Sequence, residues 1–261
     1  MDKPSKSRIR QAFGQAAPEY NQVAAIQREI CDDLALALRE WLGSTAAPSS
    51  AHHILDAGCG TGYAMPYLQE QFPGSHYLAL DLSEGMLQQL PTGTQRLSAD
   101  LELLPLAAGS CRLCWSSLAL QWCDLPHALA EIRRILHSNG LLVFSTLAEH
   151  TFTELRSAFS RIDDHPHTLG FLPSKSIQDA VIKAGFQVRR LHHTQKKTYH
   201  PDLISLLRSI KTLGANQLGP GRRRSLLTPK ALTQVAQAYE TWRTPQGLPT
   251  TYDTLQIIAS P

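Results

Sequence analysis

Ile9 and Phe13, then Ile26, Ile30, Leu34, Leu38, Trp41 and Leu42, recur at intervals of three and four. That spacing gathers apolar side chains on one face of a helix. It predicts helical structure over 7–43, divided in two by Gly14 to Tyr20, where Pro18 lacks a backbone donor. The Ser/Ala/Pro stretch from Gly43 to Ser50 reads as a linker. From His52 the pattern changes to short apolar runs followed by turns and helical segments. Strands are predicted at His52–Ala57, Ser75–Asp81, Gln95–Ala99, Ser110–Ser116 and Gly140–Leu147. Helices are predicted from the first turn to Gln71, over Ser83–Leu90 and over Leu125–Leu136. Repeated β-α units of this length imply a parallel sheet with helices on both faces. Leu141-Leu142-Val143-Phe144 is continuously apolar, as a parallel strand covered on both sides should be.

Beyond Leu147 the pattern is mixed. Helices are predicted at 151–164, Ser174–Ala184, Pro201–Leu213 and Thr228–Trp242, the last with Thr228 as N-cap and Pro229 in its first turn. Strands are predicted at Phe186–Gln195 and Thr251–Ala259, with a loop over 216–224. The expected organisation is a helical cover over 1–50, an α/β core over 51–195, a helical lid over 196–230, and a final helix and strand over 231–261 that complete the core sheet.

Composition narrows the class. The chain has 261 residues, 43% hydrophobic and 18% charged, which excludes a disordered chain and a disulfide-stapled miniprotein. No run approaches the roughly 18 apolar residues of a membrane span, and basic Met1–Arg10 leads into no apolar stretch of a secretory leader. Five scattered cysteines argue against a disulfide framework and for a reducing, cytoplasmic setting. Cys111 and Cys114 form a CxxC within a predicted strand, where residues three apart face opposite sides, and no second pair follows. No histidine has metal-motif spacing, so no metal is expected. The net charge of +3 gives no case for nucleic acid. Its distribution is uneven. Residues 1–150 hold 10 Lys/Arg and 15 Asp/Glu, whereas residues 151–261 hold 15 and 7. The basic half is either a solvated surface or the landing site of an acidic partner.

The chemistry-bearing segment is Leu55-Asp56-Ala57-Gly58-Cys59-Gly60-Thr61-Gly62, between a predicted strand and a helix. Glycines at 58, 60 and 62 let the backbone turn tightly and approach a ligand. The spacing is G-x-G-x-G; Tyr63 stands where a dinucleotide loop needs glycine, which disfavours a nicotinamide dehydrogenase. Asp81 ends the second strand, 19 residues after Gly62, where a carboxylate can chelate ribose hydroxyls. Asp100-Leu101 follows the third strand and fits an adenine amine. Three acidic residues at successive strand ends match a ligand site at the carboxyl edge of a sheet. S-adenosylmethionine, a nucleoside without phosphate, suits this loop.

The glycine loop, Asp81 and Asp100 resemble the class I S-adenosylmethionine-dependent methyltransferases over roughly residues 50–150. The resemblance implies a Rossmann-like, mostly parallel seven-stranded sheet and a cofactor site comprising Asp56, Gly58, Cys59, Gly60, Gly62, Asp81, Leu82, Asp100, Leu101 and Ser116. A narrower resemblance spans nearly the whole chain. Ala12-Phe13-Gly14-Gln15-Ala16-Ala17 with Tyr20 and Gln27, Ser117 to Cys123, Phe171-Leu172-Pro173, Leu207 to Ala215, Leu226-Leu227-Thr228 and Tyr252 are similar to malonyl-acyl-carrier-protein O-methyltransferases of biotin synthesis. Enzymes that methylate quinone precursors share the first segment only loosely, and such a small-molecule methyltransferase is the alternative reading. A cofactor-binding module without turnover is a third.

The narrower resemblance implies methylation of the free carboxylate of a malonyl thioester on an acidic carrier protein, leaving S-adenosylhomocysteine. A carboxylate with a reference pKa of about 4 is already ionised at pH 7 and needs no general base. Catalysis would rest on orientation, worth about 7–11 kcal/mol, and on water exclusion. Arg208 is the expected cation for the carboxylate, with Lys211 second, since both belong to one helix face. Tyr20 and Trp122 are expected to close the site over the methyl group. Gln27 and Gln121 are expected to contact substrate, and Phe171 to wall the acyl channel. Carrier docking is expected on Arg222-Arg223-Arg224, Lys196-Lys197 or Arg189-Arg190. No membrane partner is expected, and a monomer is.

Overall fold

The computed structural model describes residues 3–43, 52–215, 217–219, 221 and 227–261. Two helices, α1 (Lys6–Val23) and α2 (Ala25–Gly43), precede the sheet. The sheet is built from β1 (His53–Ala57), β2 (His76–Asp81), β3 (Gln95–Ser98), β4 (Cys111–Ser117), β5 (Leu136–Leu147), β6 (Gln187–His200) and β7 (Leu248–Ser260). The remaining helices are α3 (Met65–Gln71), α4 (Glu84–Leu87), α5 (Leu125–Ile135), α6 (Thr153–Phe159), α7 (Ser174–Lys183), α8 (Leu203–Thr212) and α9 (Pro229–Glu240). The strand order is β3-β2-β1-β4-β5-β7-β6. Strands β1 to β5 pair in parallel, and β7 runs antiparallel to both β5 and β6. The expected seven-stranded, mostly parallel α/β sheet is therefore present.

Successive side chains on a strand face opposite layers, and the core divides accordingly. Leu55, Cys114, Leu142 and Phe144 join α5 and α7 on one side. Ile54, Leu113, Trp115 and Val143 join α2 and α3 on the other. A third cluster packs the start of α2 against α6, α8 and α9, with Leu248 and Tyr252 of β7. The register of β4 on β5 shifts between Cys111 and Leu113. Cys111 and Cys114 thus share one layer, where an unbroken strand would separate them, and all five cysteines are free.

Several elements differ from expectation: β5 begins at Leu136 and not Gly140, α4 covers only Glu84–Leu87, and α6 only Thr153–Phe159. Helix α1 runs through Pro18, and the break falls at Ala24, whose N–H still donates to the Tyr20 carbonyl. Pro18 is exposed, while Ile9, Ala16 and Ala17 on the opposite side are buried. Packing along that inner stripe holds the helix across the missing hydrogen bond. The antiparallel β6–β7 pair is longer than its apolar runs suggest, with pairing extending from Lys196↔Tyr252 to His200↔Leu248. Residues 196–200 therefore belong to the sheet and not to the lid. The extension was masked by polarity: Lys196, Lys197 and Thr198 lie on an edge strand, and Thr250, Thr251, Asp253 and Thr254 of β7 are buried polar residues.

Candidate functional site

The strand order reverses where β1 lies between β2 and β4, and ligand clefts form outside the carboxyl ends of the strands at such a point. A cleft opens there. Its floor is the glycine loop. Gly58 has φ +77°, and a Cβ on it would lie 2.3 Å from the Ala119 Cβ. Gly60 has φ +54° and open space where a side chain would be. Its N–H donates to Asp81 Oδ2 at 2.9 Å, and the Ser83 N–H donates to Asp81 Oδ1 at 2.8 Å. Burial pushes the Asp81 carboxyl above its ordinary pKa, against the pull of these backbone donors. Each oxygen keeps a lone pair for a ligand hydroxyl.

Asp100 stands on the same cleft with Leu82 and Leu101. Its Oδ1 accepts from Lys6 Nζ at 3.0 Å and from the Glu102 N–H at 3.0 Å. Lys6 also pairs with Glu102. The roof is one stripe of α1, because Lys6, Ile9, Phe13 and Tyr20, spaced by three, four and seven, all line the cleft.

Asp56 and Cys59 lie in an adjoining cavity that shares Tyr20, Gly58, Gly60, Ser117 and Leu118 with the cleft. Asp56 is buried, and Tyr77 donates its hydroxyl to Oδ2 at 2.5 Å. Burial raises its pKa to about 7. Gly62 lines neither space; a Cβ there would run into Leu90. Ser116, expected at the cofactor, is fully buried and donates to the Ala57 carbonyl at 2.8 Å. Strand alternation turns its neighbour Ser117 to the cavities instead.

A second chamber adjoins the cleft across Phe13, Tyr20, Leu118 and Trp122. Trp122 meets Phe13 edge to face, with ring centroids 5.4 Å apart. Gln27, Gln121, Phe171, Ile210, Leu213 and Tyr252 complete much of the wall. Leu169 and Phe171 also line an open groove along residues 159–171.

Among the described residues, only two non-glycine residues have positive φ: Leu118 at 53° and Phe152 at 59°. Both line the chamber. Such conformations are costly and persist where the surroundings fix them. Here the Leu118 N–H donates to the Ser145 carbonyl at 3.0 Å and the Phe152 N–H to that of Thr251 at 2.8 Å. The sequence gives no local sign of either.

Arg208 and Lys211 do not reach the chamber. Both are exposed, while Ile210 and Leu213 of the same segment face in. At 3.6 residues per turn, Arg208 lies opposite the buried Leu206–Ile210 stripe. Arg208→Ala is expected to leave turnover of a carrier-free malonyl thioester within about twofold, as for an exposed substitution within about 0.5 kcal/mol; steady-state kinetics checks this. The basic clusters are also partly spent. Lys196 pairs with Glu29 and Asp33 of α2 at 2.6 and 2.7 Å, and Arg190 with Glu40 at 2.6 Å. Arg189 Nε donates to Ser260 Oγ at 2.9 Å. Arg222, Arg223 and Arg224 lie outside the described residues. No helix is long and apolar enough to cross a membrane, and no cluster of three or more His, Cys, Asp or Glu is placed to hold a metal, both among the described residues.

The cleft fits a phosphate-free nucleoside cofactor: a half-buried carboxylate, Asp81, with no cation paired to it among the described residues, an open cradle at Gly60, and no basic side chain in the glycine loop. Comparison with known proteins agrees. A family model described as a methyltransferase domain matches residues 55–144. The chain is 48% identical over 257 residues to a malonyl-(acyl-carrier protein) O-methyltransferase of Dechloromonas aromatica (strain RCB), covering 98% of this chain and 95% of that one. It is 34% identical over 258 residues to the biotin biosynthesis bifunctional protein BioHC of Cellvibrio japonicus (strain Ueda107), covering 97% of this chain and 50% of that one. Among solved structures, the cyclase SpnF aligns over 100% of this chain and 98% of its own, with a TM-score of 0.58 and 16% identity. That likeness carries the fold alone.

Proposed function

The chain belongs to the malonyl-acyl-carrier-protein O-methyltransferases, and from that membership we propose that it moves a methyl group from S-adenosylmethionine to the free carboxylate of a malonyl thioester on acyl carrier protein, a step toward biotin. The observation that carries this reading is the apolar chamber adjoining the cofactor cleft through Tyr20, Leu118 and Trp122. An acyl group in the chamber and a cofactor in the cleft would meet at that shared wall.

When bound, S-adenosylmethionine supplies an electrophilic methyl group on a positively charged sulfur. Asp81 would hold the ribose, and Leu82, Asp100 and Leu101 the base. The amino-acid end would lie against Asp56, Gly58, Cys59 and Gly60, and Gly62 would shape the turn. The substrate carboxylate is ionised at neutral pH, so no side chain has to remove a proton. The protein orients two reactants and keeps water out. Phe13, Phe171 and the rings of Trp122 and Tyr252 form the walls that exclude water, and Gln27 and Gln121 are the amides among them. The groove that shares Leu169 and Phe171 would admit the carrier's flexible arm. An acidic carrier would meet the basic half, where Arg222, Arg223 and Arg224 are the proposed contacts.

Mass spectrometry of malonyl-carrier protein, incubated with enzyme and S-adenosylmethionine, is expected to show one added methyl group on the acyl moiety. Methylation of a quinone precursor with the malonyl group untouched would refute the reading.

Asp56 makes cofactor binding pH-dependent. Burial holds its folded-state pKa near 7, so it is protonated below that pH. The ammonium of the cofactor's amino-acid end would favour the ionised form, so affinity should fall up to about tenfold per unit as pH drops below 7. In the free protein the raised carboxyl works the other way on stability. Unfolded Asp56 ionises first, so stability should decline as pH rises from about 4 to about 7. Asp56→Asn should flatten both profiles, measured by calorimetry at pH 6 and 8 and by melting across the range.

A further inference from the structure

The cleft and the chamber have opposite electrostatic character. The cleft carries Lys6, Asp81 and Asp100. The chamber, among the described residues, has no charged side chain; its polar groups are Tyr20, Gln27, Gln121, Tyr252 and the indole N–H of Trp122. Gln121 is already engaged, its Nε2 donating to the Leu118 carbonyl at 2.6 Å and its Oε1 accepting from Thr146 at 3.3 Å. Gln27 is not: its Oε1 is buried without a partner. An amide interchanges its oxygen and nitrogen by a half-turn, so this position can equally offer an N–H. Tyr20 lines the chamber, the cleft and the cavity of Asp56 at once. Burial and nearby Asp81 keep its hydroxyl protonated.

A carboxylate entering such a chamber loses water and meets no cationic side chain of its wall among the described residues, a costly state unless hydrogen bonds and a counter-charge replace the solvent. Among the described residues the cations nearest the shared wall lie outside the chamber and are engaged or on another cavity: Lys6 pairs with Asp100 and Glu102, Lys3 Nζ donates to the Gln121 carbonyl at 2.6 Å, and Arg28 lines the cavity of Asp56. We propose that Tyr20 and Gln27 receive the substrate carboxylate as neutral hydrogen-bond donors, and that its counter-charge comes from the bound cofactor and not from a side chain of the chamber. The inference rests on the functional reading above and replaces the expected arginine. Neutral donors orient the nucleophile without quenching it as a guanidinium would. Transfer forms the O–CH3 bond as the S–CH3 bond breaks, with no proton moved. The negative carboxylate becomes a neutral ester and the sulfonium a neutral thioether. Both charges vanish together, so the product loses what held the substrate.

The test compares affinities of malonyl- and acetyl-carrier protein for the wild-type enzyme loaded with sinefungin, whose amine is cationic, or with neutral S-adenosylhomocysteine. Malonyl-carrier is expected to bind at least tenfold tighter with sinefungin, while acetyl-carrier binds equally with both. Tyr20→Phe and Gln27→Leu should each reduce the malonyl advantage about tenfold, with acetyl-carrier affinity retained. The wild-type comparison needs no variant to fold. Equal malonyl affinity with either cofactor overturns the proposal. So does an advantage that survives both substitutions and disappears on replacing Arg222, Arg223 and Arg224 with alanine. A carrier that is never methylated removes the functional reading first; one that is methylated without charge-dependent affinity removes this inference alone.

Discussion

Asp81→Ala is expected to lower cofactor affinity by at least about 100-fold, because one side chain serves both the loop and the ligand. Its two oxygens accept the N–H groups of Gly60 and Ser83. Without them, two ligand hydroxyls each lose a charged acceptor worth about 1.5–3 kcal/mol. At 1.4 kcal/mol per tenfold, two such losses already reach the stated change. Stability should change much less. Burial disfavours the Asp81 charge in the folded state, so its removal relieves a cost while the orphaned donors impose one. Asp81→Asn keeps a carbonyl acceptor and should fall between. Calorimetric titration beside a melting curve separates the two effects; binding within tenfold of wild type would show that the cleft is not the cofactor site.

Asp81 was legible in the sequence for the reason that makes it matter. Strand ends and glycine turns are dictated locally, so three carboxylates at successive strand ends point to one edge before any tertiary contact is known. The same holds for Asp100 and for the loop at Gly58 and Gly60. What stayed hidden depends on packing from afar. Leu118 and Phe152 take left-handed backbone conformations only because Ser145 and Thr251 carbonyls fix them. Ser116 and Ser117 differ by one residue, and only the register of β4 decides which faces the cavities. Lys196 and Arg190 looked like a docking surface until α2 supplied Glu29, Asp33 and Glu40 to pair with them. Arg208 is a different case. The buried Leu206–Ile210 stripe of α8 turns it outward, and that periodicity is legible in the sequence.

Gly85→Val is expected to reduce methyl transfer to the carrier substrate by about 100-fold or more while leaving the sheet folded. The two helical signature segments meet the core through glycines. A Cβ on Gly85 would lie 2.8 Å from the Gly14 Cα and 2.9 Å from the Gly14 carbonyl oxygen. On the other side of α1, a Cβ on Gly214 would lie 3.0 Å from the Ala12 carbonyl oxygen. Helix α1 is thus seated between α4 and the end of α8, and that seating aims Phe13 and Tyr20 at the two cavities. Overpacking of this kind costs about 1–3 kcal/mol in stability, but a displacement of roughly 1 Å at a reacting centre can cost about 100-fold in rate. Gly85→Ala should show the same effect in smaller measure. Hydrogen exchange is expected to locate the change in α1, with β1, β4 and β5 as protected as before. A wild-type rate would mean that α1 does not have to seat against α4 for turnover. The clash leaves little room for escape, since the atoms it meets are backbone and no rotamer of a neighbouring side chain can absorb it.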